Sequence, residues 1–270
     1  MANGDLIKLG TVYLAGMKKA RPTKPWTGTP PGSTIVGDIP AFIPGNLIEI
    51  RDTDPLDENK IYWREVTIGG KKLLISDRVL LSTVSWDDLH AQGLIVGKDV
   101  TIDGKLYRLR VLTGGSNYRT GVDSYSGATP VLNEWDQIIV NENAISGLPT
   151  PSTTDLDTNQ NEIDRNSAHN KYWNWYYVYS WGQETHTSDN TSRVIRGRNS
   201  ARFWFANTSS GRIAAIGWRP VLEVLETQPN MHININGVHK KVESSHVRID
   251  DVWRKVDSVY AKINGVWRKS

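Results

Sequence analysis

The stretch from Arg193 to Glu226, RVIRGRNSARFWFANTSSGRIAAIGWRPVLEVLE, constrains this chain more than any other. Val194 and Ile195 precede a glycine, and Phe203, Trp204 and Phe205 form an aromatic run. β-Branched and aromatic residues fit a pleated, half-buried surface better than a helix. The turn-rich segment Asn207 to Gly211 leads on to Ile213, Ile216 and Trp218. Pro220 closes the motif, and the apolar residues Val221, Leu222, Val224 and Leu225 follow. Two strands joined by a polar loop are predicted, and the plainest reading is an antiparallel β-core rich in Arg and Trp.

A second pattern sits downstream. Ile235-Asn-Gly-Val, Ile249-Asp-Asp-Val and Ile263-Asn-Gly-Val recur at a constant spacing of 14 residues. Asn-Gly is the strongest short hairpin signal, because both residues tolerate the positive φ of a type I′ turn; Asp250-Asp251 is a poorer version. Alternation around these turns (Ile233, Ile235; Val247, Ile249) gives period-two strands, so residues 231–270 read as a β-hairpin meander. Alone, such a meander buries little apolar area. It is expected to pack on the main domain or on copies of itself. Trp253 and Trp267 serve either as a spine between hairpins or as exposed platforms, and aromatic cross-strand pairing favours the spine.

Composition supports mainly β structure with a few short helices. Only 38% of residues are hydrophobic, while Gly (23) and Pro (12) supply frequent turns. No apolar run reaches the length of a membrane span, and the first residues, MANGDLIKLGTVYLAG, lack a signal peptide's apolar core and basic front. Cysteine is absent, so folding in a reducing cytoplasm is expected, with exit by lysis or on a particle. A net charge of +3, concentrated in the tail, is too weak to imply nucleic-acid binding.

The remaining segments read in order. Asp5 to Gly16 look like a short strand pair, and Arg21 to Asn46 like a Pro/Gly/Thr-rich arm. Gly69-Gly70 and Asp103-Gly104 mark hairpins. Residues 1–80 are predicted to form a small N-terminal β-domain. Ser85 is a helix N-cap with Asp87 and Asp88 in the first turn, and Asn133 caps a second helix through Trp135, Ile138 and Ile139. Tyr172 to Gln183, YWNWYYVYSWGQ, reads as a strand with one set of rings in the core and the other outside.

Arg193-Val194, Arg196-Gly197, Ala201-Arg202 and Trp204, followed by Gly217-Trp218-Arg219-Pro220-Val221, resemble the C-terminal signature of C-type-lectin-like domains. The likeness is greatest to the branch shared by the sulfatase-modifying-factor (formylglycine-generating) family and phage receptor-binding proteins, and it covers residues 82–226. It implies a platform for displayed loops, with Arg196, Arg202 and Trp218 structural. The comparable loops here are Ser116 to Thr129, Gln183 to Ser192 and Asn207 to Arg212. They place Asn117, Tyr118, Arg119, Tyr125, His186, Asn207 and Arg212 as ligand-binding residues. The tail repeats resemble those at the ends of phage tail and fibre proteins.

The formylglycine-generating enzymes work through active-site cysteines, which this chain lacks, so no enzymatic activity is expected. Asp155, Asp157, Glu162 and Asp164 could supply the carboxylate pair of a glycosidase, but acids clustered in one loop usually form a solvated surface. Asp155-x-Asp157-x-Asn159-x-Asn161 alternates oxygen ligands like a calcium loop, yet Gln160 stands at the glycine position and no Glu closes it. No cofactor is otherwise expected, and no His spacing suits zinc. Gly114-Gly115-Ser116-Asn117 reads as a turn. The expectation is a virion protein of a bacteriophage or phage-tail-like particle, made in the bacterial cytoplasm. It would contact other virion proteins, form a homo-oligomer (a trimer), and bind a host-surface glycan or protein. The alternative is a structural decoration or tail-tip component without receptor binding.

Overall fold

The computed structural model describes residues 2–24, 37–121, 123–156 and 166–225, and six short strands within 232–269. The chain divides into two units, Met1–Val224 and Leu225–Ser270. The first contains β1 (Leu6–Leu14), β2 (Met17–Lys19), β3 (Ile48–Arg51), β4 (Lys60–Ile68), β5 (Lys71–Ser76), β6 (Leu81–Ser82) and α1 (Trp86–Ala91). It continues with β7 (Lys98–Ile102), β8 (Lys105–Arg110), β9 (Asn117–Tyr118), β10 (Ala128–Thr129) and α2 (Ala168–Trp173). It ends with β11 (Tyr179–His186), β12 (Asp189–Gly197), β13 (Trp204–Thr208), β14 (Ile216–Trp218) and β15 (Val221–Val224).

The fold is mainly β. One sheet runs β2-β1-β4-β5-β15-β8-β7, with β3 also on β1, and a second runs β13-β12-β11-β14-β6. The first sheet curls until β3 and β7 line a common cleft. A second cleft, of about 250 Å³, opens over Ile7, Leu74, Tyr107 and Val224.

Residues 1–80 do not stand apart. β15 enters between β5 and β8, with Val221 opposite both Ile75 and Arg110, so the last strand of the unit completes the sheet that the first strands begin. The reason lies in the consecutive buried apolar residues Leu73-Leu74-Ile75 of β5 and Val221-Leu222 of β15, which read as strand segments covered on both faces. Leu74 and Leu222 join a cluster with Trp63, Trp86, Trp181 and Trp218. Their neighbours Leu73, Ile75 and Val221 join another with Trp135, Trp173 and Trp175 on the opposite face.

Both predicted hairpin turns occur: Gly69-Gly70 joins β4 to β5 and Asp103-Gly104 joins β7 to β8, all four residues at positive φ. Asp5 to Gly16 is instead one long strand; the reversal comes at Ala15-Gly16, before β2. The run Tyr172 to Gln183 is not a single strand either. Asn174, at φ 47°, ends α2, and β11 starts only at Tyr179. Trp173, Trp175, Tyr176 and Tyr177 are therefore all buried rather than alternating. After Asn133 the chain makes one π-helical turn, Trp135–Ile139, shorter than the predicted helix because Asn141 turns to φ 56°.

In the second unit the pairs His232–Ile235 with Val238–Lys241, His246–Ile249 with Val252–Lys255, and Tyr260–Ile263 with Val266–Lys269 form separate two-stranded sheets. The register closes each hairpin at Ile235/Val238, Ile249/Val252 and Ile263/Val266, matching the 14-residue repeat. Among the described residues no ladder joins one pair to the next. The turn residues, the side chains of Trp253 and Trp267, and residues 25–36 of the Pro-rich arm lie outside the described residues.

Candidate functional site

The scaffold of the site is an arginine–carboxylate centre. Arg196 on β12 is fully buried. Its guanidinium donates to the carbonyls of Gly114 (2.8 Å), Phe203 (3.1 Å) and Arg202 (3.1 Å), and to the Asp136 carboxylate. Asp136 also accepts from the Ala128 N–H (3.0 Å), Asn133 Nδ2 (2.8 Å) and Arg119 Nη2 (3.0 Å). Burial alone would raise this carboxyl's pKa, but the adjacent Arg196 charge and its hydrogen bonds hold it below the ordinary range. The buried Arg196–Asp136 pair thus ties together β12, the loop that follows it and the segment 119–136.

A second buried guanidinium, Arg219, donates to Ser180 Oγ (3.0 Å) and to the carbonyls of Ser76 (3.0 Å), Trp173 (2.7 Å) and Asn174 (3.0 Å). It fastens the two sheets and α2 together. Burial without a directly bonded carboxylate lowers its pKa to about 9. Trp218 beside it and Arg196 are fully buried, whereas Arg202, the third residue expected to be structural, is only half-buried. Gly114 and Gly115 are both buried; a Cβ on Gly115 would sit 2.5 Å from Ala128 Cβ, so the segment is a close packing contact as well as a turn.

The seven predicted ligand-binding residues fall into four sets. Asn117, Tyr118 and His186 gather around Trp204. The Tyr118 ring meets Trp204 edge-on at 4.5 Å, His186 tilts against it at 5.5 Å, and Asn117 Nδ2 donates to Thr187 Oγ1 at 2.9 Å. Trp204 itself is buried and donates to the Gly115 carbonyl. Arg119 and Arg212 are engaged in ion pairs: Arg119 with Glu142 (2.7 Å) and Asp136, Arg212 with both oxygens of Asp88 at the α1 N-terminus (2.8 Å each). Asn207 belongs to β13, opposite Arg193, rather than to a loop. Tyr125 lies apart from the Trp204 group and meets Phe203 edge-on at 4.8 Å.

Tyr125 is one end of a surface the sequence did not reveal. From Phe203 the contacts run to Phe205 (6.3 Å) and to Tyr179 (6.0 Å). Arg198 lies over the Tyr179 ring at 5.3 Å and the Tyr177 ring at 5.6 Å, and Asn199 Nδ2 reaches the Tyr179 hydroxyl at 3.4 Å. Arg202 borders the other end, its Nε donating to the Tyr125 carbonyl at 2.8 Å. Phe205 is 42% exposed, while Tyr125, Tyr179, Arg198, Asn199 and Arg202 are half-buried. Burial pushes the Tyr179 hydroxyl up to about 12, so it stays protonated and able to donate.

This aromatic ledge forms because β13 is an edge strand whose side chains alternate. Trp204 faces the packed loop, and Phe205 is left on the face without cover. Arg198 follows β12 at φ 69°, a conformation that favours glycine. Its N–H donates to the Trp175 carbonyl (2.8 Å) and its carbonyl accepts from Tyr177 (3.0 Å). The signals for the ledge were the Phe-Trp-Phe alternation and the Gly197-Arg198-Asn199 turn.

Asp157, Glu162 and Asp164 of the acidic segment lie outside the described residues. Asp155 is buried and accepts from Ser152 and Ser167 hydroxyls. Among the described residues no group of three His, Asp or Glu forms a metal site, and no helix is long and apolar enough to cross a membrane. No family model, no curated protein and no solved structure matches this chain.

Proposed function

We propose that this protein is a non-catalytic attachment protein that binds a host-surface glycan, through the ledge of Tyr125, Tyr179, Phe203 and Phe205. The observation that carries this reading is a run of rings in which exposed Phe205 and half-buried Tyr125 and Tyr179 all contact the buried Phe203, bordered by Asn199, Arg198 and Arg202. Aromatic faces stack on the apolar faces of sugar rings, and amide and guanidinium donors at their edges suit hydroxyl groups. A rigid base favours such a site, and the buried Arg196–Asp136 centre supplies one.

The setting proposed is a bacteriophage or phage-tail-like particle, with a C-type-lectin-like arrangement in the first unit and the hairpins of the second serving assembly into a homo-oligomer. The signature at Arg193–Val221 and the 14-residue repeat support it. Glycan-array binding of the full chain tests the reading. Phe205→Ala together with Tyr125→Ala should abolish binding while the chain stays folded, at a cost of about 1–2 kcal/mol from the lost Tyr125–Phe203 contact. Undiminished binding by that double variant would move the site off the ledge.

A further inference from the structure

The arginines of the ledge narrow its ligand, on the reading that the ledge binds glycan. Arg196 and Arg119, in the same region, each have a carboxylate partner. Arg198 and Arg202 differ: among the described residues neither pairs with a carboxylate. Arg198 contacts only rings, and Arg202 uses Nε for a carbonyl. Arg198 also holds a left-handed backbone, where glycine or asparagine would be less strained. The Arg198 guanidinium lies over the Tyr179 ring at 5.3 Å, which steadies it, and among the described residues its N–H groups donate to no carboxylate.

We infer that the ledge takes an acidic glycan: a saccharide ring stacks on the exposed aromatic face, and its carboxylate or phosphate is received by Arg198 with Arg202 beside it. The two anion sources share one chemistry, an oxyanion that a guanidinium edge binds in a charge-assisted, bidentate way.

The test uses the full chain and a matched set of oligosaccharides. One contains hexuronic acid, the second is the same molecule with its carboxyl groups reduced to neutral hexose, and the third carries a phosphodiester in place of the carboxylate. The acidic form should bind about tenfold more tightly than its reduced counterpart, and that margin should shrink as salt is raised. Arg198→Gly, which suits the left-handed backbone, should bring the ratio of acidic to reduced affinity down to about one, whatever loss the two forms share. A phosphodiester that binds more tightly than the carboxylate supports the anion site and identifies phosphate as its ligand. Equal binding of all three, unchanged in Arg198→Gly, would overturn the acidic assignment and leave glycan binding intact. Binding to none of them would overturn the assignment together with the proposed function.

Discussion

Arg196 and Arg198 stand two residues apart, yet their surroundings are opposite. Arg196 is sealed in, with three carbonyls and the Asp136 carboxylate around it. Arg198 is half-buried and rests on tyrosine rings in a strained backbone, with no carboxylate partner among the described residues. The first arrangement is what a fold requires of a buried charge, since an unpaired one is very costly. The second is unnecessary for folding. The contrast separates the region that builds the platform from the region it presents, and substitutions on the two sides should behave differently.

The largest effect is expected at the centre. Asp136→Asn leaves Arg196 and Arg119 facing a neutral amide and should destabilise the first unit by about 3–5 kcal/mol in denaturant unfolding. Trp218→Ala, emptying a fully buried ring site, should cost a similar amount. A mild effect of Asp136→Asn would show that the buried pairing matters less than its geometry implies.

Tyr118→Ala should cost about 1–2 kcal/mol, because the ring packs edge-on against Trp204. That places Tyr118 with the platform. If stability were unchanged and binding lost, the Trp204 group would become the binding surface and the comparison would reverse.

His169 offers a test through pH. Its Nδ1 accepts from Trp175 Nε1 at 2.9 Å and its Nε2 lies 2.8 Å from the Ile139 carbonyl, so the buried ring fits as the neutral tautomer that donates from Nε2. Burial lowers its pKa from the ordinary 6.5. The unfolded chain then binds a proton that the native one refuses as pH falls below 6.5, so stability should decline on acidification through that range. His169→Gln should remove this component of the slope in urea melts at a series of pH values.

The smallest stability changes are expected on the ledge. Phe205→Ala should shift stability by no more than about 0.5 kcal/mol, and Arg198→Gly should melt at or above the parent temperature as backbone strain is released. Both should weaken glycan binding.

The parts legible in the sequence were those set by neighbours in the chain. Gly69-Gly70 and Asp103-Gly104 turned as predicted because positive φ is a local demand. Ser85 formed a capping box with Asp88 for the same reason. Long-range partners were not legible. Nothing near Val221 shows that it fits between Ile75 and Arg110, which is why a boundary near residue 80 looked plausible. The aromatic run failed as a strand because Asn174 takes the left-handed conformation in its middle. At the site, composition could place Tyr and Arg in loops but could not tell which arginines meet a carboxylate. Arg119 and Arg212 do, whereas Arg198, outside the predicted loops, does not.

The most direct measurement is a chemical-shift map of the first unit's surface in the full chain, titrated with a glycan to which it binds. The ledge account predicts perturbations at Tyr125, Tyr179, Arg198, Asn199 and Phe205, with Asn117, Tyr118 and His186 unaffected. Perturbations confined to Asn117, Tyr118 and His186, with the ledge silent, would contradict it.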